Sequence, residues 1–366
     1  MQWNSAHADE KDGAVLAAAR LQWRVHRGPG SLHRAPPSMK PMKLRLGAIV
    51  ACTLILAPTL AAANAPPVPG VLPASVPDRV VQPQNVTPVC LDRSDIPESE
   101  LHWLRIPANA SELATSEDYA YLSGQLIQNG VVDASDCPLG GFWPDGYATA
   151  CGLARTRQVS LYLQNVYDDE ILAAGKDIGV PPVLIKQLIR YESQFWPVQW
   201  GPYHYGLGHL TFPGAVTALF WNPALYAAAY AEAPGSVDLP ASLVSLMNAY
   251  CPTCSYGLDI PKAERSIPLI AQVLLAYCKQ TTQVIYNATK VSPGDVVDYA
   301  TVWRLTLLNY NAGPNCAFDA VKANFKLGSK LSWVGIADKL AVRMCIRGVG
   351  YADTISAPYY EFRTRP

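Results

Sequence analysis

The sequence has no excess of charge of either sign: 29 Lys and Arg stand against 29 Asp and Glu, and charged residues make up only 16% of the 366. A nucleic-acid partner leaves a strongly basic footprint, so this balance argues against DNA, RNA and other polymeric polyanions as ligands. The six histidines are scattered through the chain, and no Gly-rich loop precedes a helix in an α/β setting. Neither a metal nor a cofactor is therefore expected. No internal repeat is apparent, and no alternating strand pattern of any length competes with helical spacing. What is present is apolar material, 50% of the chain, enough for one or two packed domains and incompatible with disorder throughout.

Charge is unevenly placed. Residues 1–63 hold eight Lys and Arg against three Asp and Glu, which leaves the remainder mildly acidic. Lys40, Lys43 and Arg45 precede an uncharged run from Leu46 to Ala63 that ends in small residues. A basic start, an apolar centre and a small-residue exit make an export signal, so residues 39–63 read as a signal peptide. Cleavage after Ala63 is preferred to cleavage after Ala65, which would leave Pro66 at the new N-terminus. The run also reaches the lower bound for spanning a bilayer, so an uncleaved anchor acting as a membrane tether stays open, as does lipid attachment at Cys52. Pro58 and the Ala-rich exit favour cleavage. Residues 1–38 are longer than an ordinary basic region and read as an extension upstream of Met39 and Met42. The expected destination is periplasmic, cell-wall or extracellular.

Eight of the nine cysteines lie beyond this segment, an even number that favours disulfides in an exported chain. Cys251-Pro-Thr-Cys254 has the spacing of half a zinc site or a redox pair, but no second such motif accompanies it, so structural bridges are favoured. Cys137 and Cys151 bracket the turn-rich CPLGGFWPDGYATAC and are expected to staple one loop. The other pairings stay open.

Residues 64–97 are rich in Pro and Val without periodicity and read as an extended linker. Residues 98–155 read as a small, cysteine-containing, turn-rich lead-in with one helix near 116–129. From about Thr156 apolar spacings of three and four predict helices over 157–177, 181–193, 211–231, 266–281, 298–309, 315–326 and 332–345. The fold class expected is mainly α, with a compact helical domain over 156–350 and a tail over 351–366.

In VPPVLIKQLIRYESQFWP, Leu184, Ile185, Leu188 and Ile189 share a helical face, and the next position on it is Glu192. A carboxyl group stands where an apolar residue should continue. A low-polarity setting favours its protonated form, ready for delivery to a leaving group, as a general acid at a glycosidic bond requires. Phe195, Trp196, Trp200, Tyr203 and Tyr205 follow, and flat aromatic faces suit sugar rings. The plainer alternative is a glutamate at a fraying helix end with the aromatics as core.

Three separated segments, GVPPVLIKQLIRYESQFWP at 179–197, YGLGHLT at 205–211 and LLNYNAGP at 307–314, together resemble the catalytic domain of the soluble lytic transglycosylases, which has a goose-type-lysozyme-like fold. The resemblance covers roughly 156–350. It implies that Glu192 is the single acid/base cleaving the β-1,4 bond between N-acetylmuramic acid and N-acetylglucosamine in peptidoglycan, leaving a 1,6-anhydro end. By the same resemblance Ser193 supports the glutamate or a sugar substituent, Tyr310 turns its phenol toward Glu192, and Tyr205, Gly206, Leu207, His209 and Asn311 contact the glycan. Gly313 is expected to end the helix bearing Tyr310 and Asn311 in a left-handed conformation.

The middle segment departs from the family, with Gly208 and His209 where Met and Gln are usual. A titratable imidazole there puts substrate preference and pH response in doubt. A hydrolytic muramidase of the same fold would need a second group, for which Asp238, Asp259, Asp295 and Asp298 are available. A non-catalytic cell-wall glycan-binding protein is the rival of another class.

Overall fold

The computed structural model describes residues 89–92, 96–199, 201, 203–232, 238–340 and 342–358. All of them fall within the unit spanning Val76–Pro366. The extension at 1–38, the signal segment at 39–63, most of the linker and residues 359–366 of the tail lie outside the described residues.

The described residues are mainly helical. The helices are α1 (Leu101–Leu104), α2 (Ala120–Gln128), α3 (Ala150–Asn165), α4 (Asp168–Ile178), α5 (Pro182–Ser193), α6 (Phe212–Trp221), α7 (Pro223–Glu232), α8 (Leu239–Met247), α9 (Ile260–Thr289), α10 (Pro293–Val296), α11 (Tyr299–Ala312), α12 (Pro314–Asn324), α13 (Trp333–Ala337) and α14 (Arg343–Ser356). Among the described residues β-structure is confined to three isolated bridges, Phe142 with Ala148, Tyr205 with Leu210 and Tyr250 with Leu258. None of these helices is long and apolar enough to cross a membrane.

The architecture is organised by α9, whose 30 residues span about 45 Å. It packs against α4, α6, α11 and α12, while α11 packs on α14 and α14 in turn on α5. The start of α9 lies well before the expected 266: Asp259 accepts the Lys262 amide at 2.9 Å, and Pro261 tolerates a first-turn position. Ser266 is buried within the helix and donates to the Ala263 carbonyl. Two other expected helices are split. The one over 157–177 breaks at Val166–Tyr167 into α3 and α4, and α3 begins at a Thr149 cap rather than at 157. The one over 211–231 breaks at Asn222, which precedes Pro223 and is extended. Helix α8 lies between two of the expected helices, where none was expected, and Asp238 caps it.

All eight cysteines beyond the signal segment are paired: Cys90–Cys278, Cys137–Cys151, Cys251–Cys254 and Cys316–Cys345. The second is the expected loop staple. The first corrects the linker's far boundary, because Cys90 is fully buried and fixes residues 89–91 against α9 and α11.

The lead-in shares the core of the helical domain: Trp103, Leu104, Leu113, Leu122 and Leu126 belong to the same buried cluster as α5 and α9. Its attachment includes a two-pronged ion pair, in which Arg304 on α11 donates to both oxygens of Glu100 at 2.8–2.9 Å while Trp103 donates to Oε2. Burial raises the Glu100 pKa, but the hydrogen bonds and charge from Arg304 and Trp103 outweigh it and hold the carboxyl below its ordinary 4.5. A depressed carboxyl contributes stability above its unfolded-state pKa and loses it as pH falls through the folded-state value. Glu100→Gln should therefore cost about 2 kcal/mol at neutral pH. The difference from the parent should shrink as pH drops below 4.5, a pattern that denaturant unfolding across pH would check.

Candidate active site

Helix α5 starts at Pro182, where a missing N–H costs nothing, and buries Leu184, Ile185, Leu188 and Ile189 completely. It ends because Gln194 and Phe195 both adopt left-handed backbone, φ +49° and +66°, two residues earlier than Pro197 alone would require. Gln194 is fixed there by its side-chain oxygen, which accepts the Tyr121 amide at 2.8 Å. These constraints set Glu192 in the last turn, its side chain 16% exposed.

Two groups meet its carboxyl. The Tyr351 hydroxyl donates to Oε1 at 2.5 Å, and His209 Nδ1 lies 3.4 Å from Oε2. Burial, followed by the Glu192 charge, pushes the Tyr351 phenol well above its ordinary 10, so it remains a proton donor across the range in which proteins work. Tyr191 packs edge-on against Tyr351 with ring centroids 4.9 Å apart.

His209 reaches Glu192 through the turn at 205–210. Tyr205 and Leu210 exchange backbone hydrogen bonds at 3.0 Å, and the His209 amide donates to the Gly206 carbonyl at 3.1 Å. Gly206 has φ +68°, and a Cβ there would stand 2.2 Å from the Met247 carbonyl oxygen, so no other residue fits the turn. The His204 ring lies 5.8 Å from that of His209; burial and its histidine neighbour hold the His204 imidazole below its ordinary range, against the pull of Glu192.

The remaining expected site residues separate into those near the acid and those turned away from it. Tyr310 is partly buried, close enough that the Glu192 charge helps burial raise its phenol pKa, but its hydroxyl donates to the Gly208 carbonyl at 2.7 Å and not to Glu192. The position facing the acid is taken by Tyr351. Ser193 is fully buried and donates to the Ile189 carbonyl one turn back, which directs its hydroxyl into the helix rather than toward a sugar. Leu207 is wholly in the core, Tyr205 is half-buried, and Asn311 is exposed at the end of α11. Gly313 has the expected positive φ, +88°, but its ψ of 165° is extended rather than left-handed helical. Among the aromatics following Glu192, Phe195 and Trp196 are core, Tyr203 is exposed, and Trp200 lies outside the described residues.

Three of the four carboxylates available as a second catalytic group are helix caps: Asp238 accepts the Ala241 amide, Asp259 that of Lys262 and Asp298 that of Thr301. Asp295 is exposed on α10. A cavity of about 290 Å³ opens on another face of α5, lined by His102, Arg105, Lys186, Gln187 and Arg190, away from the acid.

Tyr351 lies in a region expected to be a tail. A signal was present: Gly348, Tyr351, Ala352 and Ile355 repeat at three- and four-residue spacing and form the buried face of α14. Gly348 brings α14 close to α11, since a Cβ would stand 2.6 Å from Leu308 and 2.7 Å from Ala312. This chain matches none of the family models, curated proteins or solved structures with which it was compared.

Burial also pushes the Tyr121 and Tyr277 phenols up to about 12. In an alkaline titration followed by ultraviolet difference spectra, Tyr351→Phe should leave the amplitude of the first phenolate step unchanged, because Tyr351 ionises only as the chain unfolds. Loss of one tyrosine's amplitude near the ordinary value of 10 would mean that the Tyr351 hydroxyl is open to water.

Proposed function

We propose that this protein is an exported peptidoglycan lytic transglycosylase whose helical domain is lysozyme-like. It cleaves the β-1,4 bond between N-acetylmuramic acid and N-acetylglucosamine and leaves a 1,6-anhydro-muramoyl end. The observation carrying this reading is the setting of Glu192, a single carboxyl group closing a buried helix, with a protonated phenol on one oxygen and an imidazole beside the other.

With Tyr351 donating to Oε1, the proton that Glu192 carries as an acid resides on Oε2. It passes to the glycosidic oxygen as the bond to the muramoyl C1 breaks, and the N-acetylglucosamine side leaves as an alcohol. The resulting carboxylate, stabilised by the phenol, accepts the proton of the muramoyl C6 hydroxyl as that oxygen bonds to C1 of the same sugar. Glu192 returns to its protonated form, and no water enters. Because the nucleophile belongs to the substrate and is already close, the second carboxylate of the usual glycosidase pair is not needed. The use of Asp238, Asp259 and Asp298 as caps favours this scheme over hydrolysis. The disulfides fit an oxidising compartment outside the cytoplasm.

Mass spectrometry of muropeptides released from purified peptidoglycan tests the reading. The parent protein should release anhydro-muramoyl products, and Glu192→Gln should release none while remaining folded. Reducing-end products would transfer the assignment to a muramidase, and no release by folded protein would favour a binding role.

A further inference from the structure

The loop between Cys137 and Cys151 lies outside the segments that resemble a known catalytic domain, yet it is held with unusual firmness. Besides the disulfide, the Trp143 amide donates to the Tyr147 carbonyl at 2.7 Å and the Gly146 amide to that of Trp143 at 2.8 Å, closing a tight turn. The Ala148 amide donates to the Ala120 carbonyl and that of Thr149 to Gly141. Gly124 and Gly152 let two helices touch the loop directly; a Cβ on either would stand 1.9 Å from a loop carbonyl oxygen.

What this scaffold presents to solvent is aromatic. Trp143 is 50% exposed and Tyr147 45% exposed, and Tyr121 packs beside Tyr147 with ring centroids 5.8 Å apart. Flat, rigid side chains immobilised before binding lose little entropy when a ligand stacks on them. The platform also connects to the acid: the Tyr121 amide binds Gln194, which ends α5 two residues after Glu192, and the Tyr119 ring packs on Phe195 at 5.5 Å.

We infer that Trp143 and Tyr147 form an accessory subsite that binds a glycan strand by stacking against the apolar faces of its N-acetylhexosamine rings, holding the polymer beside α5. The inference rests on the reading of this protein as one that acts on peptidoglycan glycan, and it gives the lead-in its role. The phenols of Tyr121 and Tyr147 are raised by burial and stay neutral, as suits an uncharged sugar face.

The test uses the whole chain in the inactive Glu192→Gln background, with purified peptidoglycan in a sedimentation assay and N-acetylglucosamine hexamer in calorimetry. Trp143→Ala and Tyr147→Ala should each weaken binding about tenfold, and Trp143→Phe should recover most of it. In the active chain the Trp143→Ala loss should appear in KM for polymeric peptidoglycan rather than in kcat. Variants that keep the parent's thermal midpoint and disulfides but bind both glycans as tightly as the parent would overturn the subsite, as would absence of glycan binding by the parent itself. The two readings fail separately. Weakened binding in a protein that releases no muropeptides retains the subsite and removes the enzyme, whereas anhydro products with unaltered binding do the reverse.

Discussion

Tyr351 and Glu192 are 159 residues apart in sequence, and the hydrogen bond between them joins the end of α5 to the last helix described. For that bond to form, α14 must lie against α11, which requires Gly348, and must be held along its length. Cys316–Cys345 ties its first turn to α12, and the Trp333 indole donates to Asp353. At its far end Arg304 donates to the Ser356 hydroxyl, while His102 from the lead-in meets the Ser356 carbonyl at 2.8 Å. Lead-in, central helices and C-terminal helix therefore converge on the position of one carboxyl group.

That convergence gives Glu192 its chemical character. An acid at the end of an exposed helix would exchange its proton with water in any direction. Here one oxygen accepts from a phenol that burial and the neighbouring charge keep protonated, which in the proposed reaction leaves the other oxygen to carry the proton that is delivered. The turn at 205–210 brings His209 to that second oxygen through a backbone conformation only Gly206 permits.

Much of this was legible in the sequence where a local rule decides the outcome. The Pro-Pro start of α5, the Thr211 and Asp298 caps and the Cys137–Cys151 staple each depend on neighbours a few residues away. What was not legible depends on distant partners. Tyr310 and Tyr351 are both phenols in apolar stripes, and nothing local says which one bonds the acid and which bonds the Gly208 carbonyl. Ser193 next to Glu192 has the chemistry to assist it, yet helix geometry turns its hydroxyl back to Ile189. The lead-in read as separate because its helices are short, whereas Trp103 and the Glu100–Arg304 pair make it part of one core. The exposed aromatics on its stapled loop are the feature that local pattern and catalytic motif both leave unexplained.

The most direct measurement of the account is a double-mutant cycle on unfolding free energy with Tyr351→Phe, Glu192→Gln and the two combined. If the phenol and the carboxylate form the bond that closes α14 on α5, their coupling should be about 1–2 kcal/mol at neutral pH. Additive single-mutant effects at neutral pH would contradict the account, because Tyr351 would then be a core residue with no hold on the acid.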